Sequence, residues 1–185
     1  WQRNSDDSFT EYLAPPREKG TKMLKLGDRL WTYSPQTDRT ILISGHMLRQ
    51  SVMGSDLSYE DMMEDPILQN SYYPEIADED TISNRPVWIL ELKAKKGDAS
   101  YDERKIWVDK ERFIILKENL YAKSGKLLKR IELFNITKIE GRWIPKTALY
   151  KDVLKQGKGT KMIIESIEFG ENIPDYIFSK ASLRK

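Results

Sequence analysis

The dominant pattern along the chain is alternation of apolar and polar residues with a period of two, which is typical of β-strands. Short segments rich in Gly, Pro and Asp separate these runs and predict tight turns. Connections this short favour antiparallel hairpins, because parallel strands need a crossover of about a dozen residues or more. The pattern predicts one long antiparallel meander with strands at Ser8–Leu13, Thr21–Leu26, Arg29–Ser34, Thr40–Ser44, Pro86–Lys95, Tyr101–Asp109, Phe113–Ala122, Leu127–Ile139, Trp143–Leu154 and Thr160–Phe169.

The predicted turns include Gly27-Asp28, Lys96-Gly97-Asp98, Ser124-Gly125, Glu140-Gly141 and residues 156–159. Few helices are expected. One should begin near Asp56 and end before Pro66, because Ser58 and Asp61 resemble a capping box and Tyr59, Met62 and Met63 form an apolar stripe. A second helical turn should follow Pro174, whereas Gln69–Asn84 has no clean period and predicts an irregular segment.

Several predicted strands are apolar on both faces, as in the runs Val87–Leu92 and Phe113–Leu116. A half-exposed antiparallel strand should instead alternate apolar with polar residues. The predicted helices are too few and too short to cover both faces. Three arrangements remain open: the sheet curls around its own core, a protein partner covers it, or a lipid fills it.

The composition narrows the classes of function. The 185 residues carry a formal net charge of +2, which gives no support for a nucleic-acid partner, and there is no cysteine for disulfides or thiolate chemistry. No apolar run approaches the roughly 18 residues that a membrane-spanning helix needs. The chain starts at Trp1, close to a predicted strand, so we expect a longer precursor whose first part carried a targeting segment.

Several segments of the chain form recognisable motifs. They are a W-x-Y-x-P strand at Trp31–Pro35, an S-x-M-G-S-D motif within Gln50–Asp61, the strand Trp88–Leu92, the turn Trp107-Val108-Asp109, the strand Gly141–Pro145 and the terminal Pro174–Phe178. In this order they resemble the motifs of one protein family, the LolA-like outer-membrane lipoprotein-sorting proteins. The likeness covers essentially the whole chain.

This resemblance implies a mainly β fold: a curved antiparallel sheet forming an open, unclosed β-barrel with a few short helices as a lid. We expect a single domain over residues 1–185 that lacks the N-terminal helix and first strands usual in the family. Relatives carry lipoproteins or other lipids through the periplasm. The resemblance therefore implies a monomeric, periplasmic or envelope carrier of acyl chains, with an inner-membrane transporter and an outer-membrane acceptor as partners. Whether a lipid anchor stands on the missing first part is left open by the sequence.

Large aromatic and adaptable apolar side chains are the candidates for the carrier's cavity. Methionine and tryptophan suit this role, because they offer flexible or broad contact surfaces to an acyl chain. The alternative, that each is an ordinary core residue, stays open. The candidates are Trp31, Tyr33, Met53, Leu57, Tyr59, Met62, Met63, Trp88, Leu90, Leu92, Trp107 and Trp143.

Two other functions are weighed against the carrier. A protein-interaction or sensor module would cover the apolar faces with a protein partner. A lipid hydrolase would have to use His46, the only histidine, near Ser44 and Ser51 or with Ser55 beside Asp56. No G-x-S-x-G motif accompanies these residues, so we expect no enzyme and no cofactor.

Two groups of charged residues allow more than one interpretation. The acidic residues Glu60, Asp61, Glu64, Asp65 and 78–80 lack the spacing of an EF-hand loop, so we expect no metal site. Basic residues cluster in two hairpins, where they either meet anionic headgroups or an acidic partner, or prevent aggregation of sheet edges. These residues are Lys123, Lys126, Lys129, Arg130, Lys151, Lys155, Lys158 and Lys161.

Overall fold

Antiparallel β-structure dominates the protein, as the sequence predicts. The computed structural model describes residues 1–4, 6–95 and 99–184. These divide into two compact units, one formed by Trp1–Gly54, Ser58–Pro66 and Gly170–Lys185, the other by Ser55–Leu57 and Ile67–Phe169. Each unit contains one antiparallel sheet, and neither sheet closes on itself within the described residues. The mainly β fold class is confirmed, whereas the single-domain assignment stays a prediction.

The first unit holds a five-stranded sheet in which each strand pairs with the next one along the chain. Gly27 and Asp28 form a two-residue hairpin loop, since Leu26 pairs with Arg29 on the following strand. Gly27 has a φ of 54°, a conformation that favours glycine. The strands are β1 (Gln2–Arg3), β2 (Asp7–Glu11), β3 (Lys22–Leu26), β4 (Arg29–Ser34) and β5 (Arg39–Ile43).

Both faces of the five-stranded sheet are covered by the chain itself. On one face Leu24 and Trp31 pack against Phe9 and against Leu183 near the C-terminus. On the other face Met23, Leu30 and Ile43 pack against Val52 and the methionine-rich segment that follows. The expectation that the helices are too few and short to cover two faces is therefore wrong for this sheet, because single helical turns suffice.

The helices are short. α1 (Tyr59–Met63) has the predicted capping box, in which the Asp61 N–H donates to Ser58 Oγ and the Ser58 N–H donates to Asp61 Oδ2 at 2.7 Å. α1 begins after the predicted start near Asp56, since Ser58 caps it. A helical turn follows Pro174 as predicted. The other helices are α2 (Leu68–Ser71) and 3-10 turns at Gly45–Arg49, Val52–Gly54, Asp175–Phe178 and Lys180–Arg184.

The second unit holds a seven-stranded sheet, again a meander. Its hairpins include the two-residue loops Ser83-Asn84 and Glu140-Gly141, whose residues all have positive φ, as type I′ turns require. The strands are β6 (Tyr72–Ile82), β7 (Arg85–Ala94), β8 (Glu103–Asp109), β9 (Ile115–Tyr121), β10 (Leu127–Ile139), β11 (Arg142–Asp152) and β12 (Thr160–Ile163).

Several details of the predicted meander are wrong. It is two sheets, because residues 44–71 form helices and turns between β5 and β6. The segment predicted to be irregular contains β6, which is largely exposed and polar and is held by backbone pairing with β7, so it needs no apolar period. Phe113 precedes its strand with a φ of 54°, and β12 ends at Ile163, before the predicted Phe169. The predicted turn Lys96-Gly97-Asp98 lies outside the described residues.

Candidate functional site

The seven-stranded sheet curves strongly enough to form a cleft. Ile82 on β6 and Ile136 on β10 pack against one cluster around Trp107, although three strands lie between them in the sheet. On a flat sheet, four strand spacings of about 4.8 Å would place β6 and β10 about 19 Å apart. The face that carries Trp107 is therefore concave. It encloses a cleft of about 710 Å³, which is called the Trp107 cleft below.

The floor of the Trp107 cleft is apolar. Ile89 and Trp107 are register partners on β7 and β8, and they form a buried cluster with Val87 and Leu116. Among the described residues, this cluster and the apolar side chains packed on it include none from a helix, unlike those of the five-stranded sheet. The apolar side chains that line the cleft are Ile82, Trp107, Leu116, Leu133, Phe134 and Ile136.

Charged side chains lie beside this apolar floor. Lys117 places its Nζ 4.3 Å from the centroid of the Trp107 ring, within reach of a cation–π interaction. Glu132 is the register partner of Lys117 on β10. Asp80 and Arg85, from the β6–β7 hairpin, complete the charged part of the lining. The cleft is thus amphipathic, with apolar walls and charges of both signs.

A buried carboxylate positions part of this lining. Asp109 is fully buried at the end of β8, where it accepts hydrogen bonds from the backbone N–H groups of Glu111 and Arg112, both at 2.9 Å. The guanidinium groups of Arg112 and Arg85 donate to its other oxygen at 3.1 and 3.4 Å. Burial alone raises the pKa of Asp109, but the hydrogen bonds and the Arg112 charge outweigh burial and hold that pKa below its ordinary value. Asp109 therefore stays ionised and anchors Arg85 at the cleft.

Of the predicted site residues, only Trp107 lines this cleft. Trp88, Leu90 and Leu92 lie on the opposite face of β7, because successive residues of a strand point to opposite sides. Leu92 packs there against Tyr72 and Ile106, with Leu90 beside them. These three side chains cannot line the Trp107 cleft, and any contact with a ligand on their own face stays a prediction.

Trp143 and Leu57 are the other predicted site residues of this unit. Trp143 is half-buried near the β10–β11 turn, where the Arg112 guanidinium lies 4.7 Å from its ring centroid and the Lys138 Nζ lies 5.6 Å from it. Leu57 is half-buried in the segment Ser55–Leu57. Neither residue lines the Trp107 cleft.

The predicted site residues of the first unit lie on two faces of the five-stranded sheet. Trp31 and Tyr33 share the face with Phe9 and Leu24, and the Lys180 Nζ lies 4.4 Å above the Trp31 ring. Met53, Tyr59, Met62 and Met63 pack on the other face. Burial raises the pKa of the Tyr59 hydroxyl, with a smaller contribution from Glu18. These two groups cannot share one cavity on this sheet, and their contact with a ligand also stays a prediction.

Most of the cleft residues could not be predicted from the pattern. Ile82 belongs to the segment that shows no period, and Leu133 and Phe134 are neighbours that regular alternation would place on opposite faces. Both line the cleft next to Asn135, whose φ of 53° interrupts the regular strand. The available signal was the long β10 run itself, in which Phe134 and Ile136 recur at a spacing of two.

The Ser55-Asp56 pair of the S-x-M-G-S-D motif has a structural role. Asp56 accepts hydrogen bonds from the Asp152 backbone N–H and the Thr160 hydroxyl, both at 2.9 Å, so it ties this segment to β11 and β12. The Lys155 Nζ donates to the Ser55 carbonyl oxygen at 2.6 Å. His46 is exposed in the turn Gly45–Arg49. The absence of enzymatic activity stays a prediction.

Two residues of the acidic clusters have structural contacts. Asp61 belongs to the capping box of α1, and Glu79 forms a salt bridge with Lys110. Within residues 1–4, 6–95 and 99–184, no group of three acidic or histidine side chains is placed to hold a metal ion. Over the same residues, no helix has both the length and the apolar character that crossing a membrane requires.

Comparison with known structures shows that this fold is shared by three solved proteins. A domain described as an outer membrane lipoprotein-sorting protein domain, from Vibrio parahaemolyticus, is 22% identical with a TM-score of 0.85, over 100% of this chain and 80% of that one. A DUF1329 family protein from Desulfovibrio piger is 24% identical with a TM-score of 0.82, over 96% and 76%. A LolA superfamily protein from Nitrosomonas europaea is 24% identical with a TM-score of 0.72, over 96% and 78%.

These identities are low, so the three structures establish the fold and not a shared activity. No curated protein matches the chain. The model of a family described as "Uncharacterized protein" matches residues 4–185, nearly the whole length. The chain therefore belongs to this family, and its fold is LolA-like.

Proposed function

We propose that this protein is a carrier of the bacterial periplasm that binds acyl chains of lipids or lipoproteins in the Trp107 cleft. The observation that carries the proposal is a cleft of about 710 Å³ with an apolar floor on a curved sheet. This volume falls within the range of about 300–1,000 Å³ that is usual for small-molecule sites. The charges beside the floor suit a polar head that stays near water.

The fold supports the same proposal. One of the similar structures is described as an outer membrane lipoprotein-sorting domain, and another as a LolA superfamily protein. For this chain we extend that description to a monomeric carrier that receives its cargo from an inner-membrane transporter and delivers it to an outer-membrane acceptor. The periplasmic location and both partners are part of the proposal.

Quenching of tryptophan fluorescence by a brominated fatty acid tests the site, because bromine quenches only rings that it approaches closely. We expect quenching in the unmodified protein and loss of most of it in Trp107→Phe. Trp88→Phe is the matched control, since Trp88 lies on the opposite face of the same sheet, and its quenching should persist. Loss of quenching in Trp88→Phe instead would indicate that the fatty acid binds on the opposite face of β7, which carries Leu90 and Leu92.

A second test measures how the affinity for fatty acids depends on their chain length, with and without a substitution that blocks the cleft. Each methylene that enters the cleft contributes about 0.8 kcal/mol, so affinity should rise roughly fourfold per added carbon until the cleft is full. Phe134→Asp should abolish this dependence, whereas Phe113→Asp, at an exposed residue that does not line the cleft, should not. No binding of any fatty acid by the unmodified protein would rule out the carrier and leave the interaction module as the remaining candidate.

A further inference from the structure

The two basic hairpins of the sequence meet at one end of the seven-stranded sheet. β9 ends where Tyr121 pairs with Leu127 of β10, and Lys129 of β10 pairs with Asp152 at the end of β11. The turns 122–126 and 153–159 are therefore neighbours at the same end. Arg130 and Lys151 even face each other across β10 and β11. Two clusters that are distant in sequence form one basic surface.

Apart from Lys129, which is half-buried with its Nζ 5.8 Å from the centroid of the Tyr101 ring, the basic residues of this end fall into two classes. Lys151 and Lys155 build the β11–β12 turn: the Lys151 Nζ donates to the Lys155 carbonyl oxygen at 2.6 Å, and the Lys155 Nζ donates to the Ser55 carbonyl oxygen. The other class is exposed and forms no salt bridge with any residue that the structure describes. We call it, together with Leu154, the basic end: Lys123, Lys126, Arg130, Lys158 and Lys161.

An apolar side chain stands among these cations. Leu154 is 61% exposed. Its turn is nevertheless well formed, because the Leu154 N–H donates a hydrogen bond to Asp152 Oδ1 at 2.9 Å. The turn closes at Gly159, where a Cβ atom would lie only 2.5 Å from the Tyr150 carbonyl oxygen, so only glycine fits. Leu154 is thus presented to solvent by a structured turn.

We propose that the basic end docks this protein on an anionic membrane surface, with the five cations at headgroup phosphates and Leu154 in the interfacial layer. Charge complementarity selects this occupant, because each lysine or arginine near an anionic bilayer strengthens binding roughly fivefold. An exposed leucine amid cations matches the usual combination of apolar and basic groups in proteins that bind membrane surfaces. This surface is separate from the Trp107 cleft and does not depend on the proposed carrier function.

Sedimentation with vesicles tests the docking. The protein should bind vesicles of phosphatidylglycerol and phosphatidylethanolamine, and should bind vesicles of pure phosphatidylcholine far less. The variant Lys123→Glu/Lys126→Glu/Lys158→Glu should reduce partition to the anionic vesicles by roughly 100-fold or more. The control Lys19→Glu/Arg29→Glu/Arg39→Glu makes the same change in net charge at exposed residues of the other unit, and should reduce it less than tenfold.

A second pair of variants isolates the apolar contact. Leu154→Ser should reduce partition about tenfold, while Leu13→Ser, at a leucine that is 75% exposed, should leave it unchanged. Equal binding by the two triple variants, or equal binding to both kinds of vesicle, would overturn the proposal. Quenching by the brominated fatty acid is measured on the same variants and should be unaffected, so a failure of docking is distinguishable from a failure of the carrier function.

Discussion

The apolar faces of the two sheets in this protein are covered in different ways. Both are antiparallel meanders with apolar side chains on two faces. In the five-stranded sheet, the chain itself covers both faces, with α1 and 3-10 turns on one side and the C-terminal turns on the other. In the seven-stranded sheet, the cluster around Trp107 is bordered by strands and turns and by the cleft.

Two tryptophans show what this difference means. Trp31 and Trp107 are nearly equally buried, at 6% and 7% exposure. Trp31 packs against Leu183, whereas Trp107 lines a cleft of about 710 Å³. The exposed fraction of a side chain therefore does not distinguish a core residue from a candidate ligand contact. The two are distinguished by what the side chain contacts.

The largest expected effect comes from removing the core tryptophan. Trp31→Ala should lower the free energy of unfolding by about 3–5 kcal/mol, because it leaves a cavity between the sheet and the C-terminal turn. Binding of a fatty acid at the Trp107 cleft should not change. Urea unfolding and a binding titration measure both, with the exposed Trp1→Ala as the control. Loss of affinity without loss of stability would instead make Trp31 a ligand contact, as the sequence predicts.

The second-largest effect on stability is expected at Asp109, the buried carboxylate that anchors Arg85 at the cleft. Asp109→Asn removes the charge that holds Arg85 and Arg112, and should cost about 2–3 kcal/mol at neutral pH. The pKa of Asp109 is lowered in the folded protein, so its contribution is fully present above the ordinary value of 3.8 and is lost as the pH falls from there through the folded pKa. Unfolding measured from pH 7 to pH 2 should show the two proteins converging only below about pH 4. A constant difference down to pH 2 would contradict this role of the charge.

The smallest effect on stability is expected at Met53–Asp65, the segment that contains α1 and that we take as the candidate for a lid. α1 is a five-residue helix, far below the length of about 12 residues that an isolated helix needs, so it depends on docking. If an acyl chain instead binds under this segment on the five-stranded sheet, amides of Tyr59–Glu64 should exchange more slowly when a fatty acid is added. Met62→Ser/Met63→Ser should then weaken binding of long chains and barely alter global unfolding. Amides already as protected as those of β3 and β4 without ligand would make α1 a permanent cover of the five-stranded sheet.

Local features of this chain could be predicted because they depend on neighbouring residues. The strands Arg29–Ser34 and Leu127–Ile139 have the predicted bounds, and the turns Gly27-Asp28 and Glu140-Gly141 form the expected hairpins. The Ser58 and Asp61 capping box needs only residues three apart. Motifs along the chain also indicated the LolA-like fold, which the structural comparisons support.

The candidate sites depended on contacts that no local pattern specifies. Because β7 is apolar on both faces, its sequence does not tell which side becomes concave, and curvature accumulated over several strands placed Trp107 in the cleft and Trp88 opposite it. β6 escaped prediction since its strand conformation comes from pairing with β7. The register of β9, β10 and β11 joined the two basic hairpins. The local sequence determined most strands and turns, whereas sheet curvature and register, which sum interactions over distant residues, decided what lies side by side.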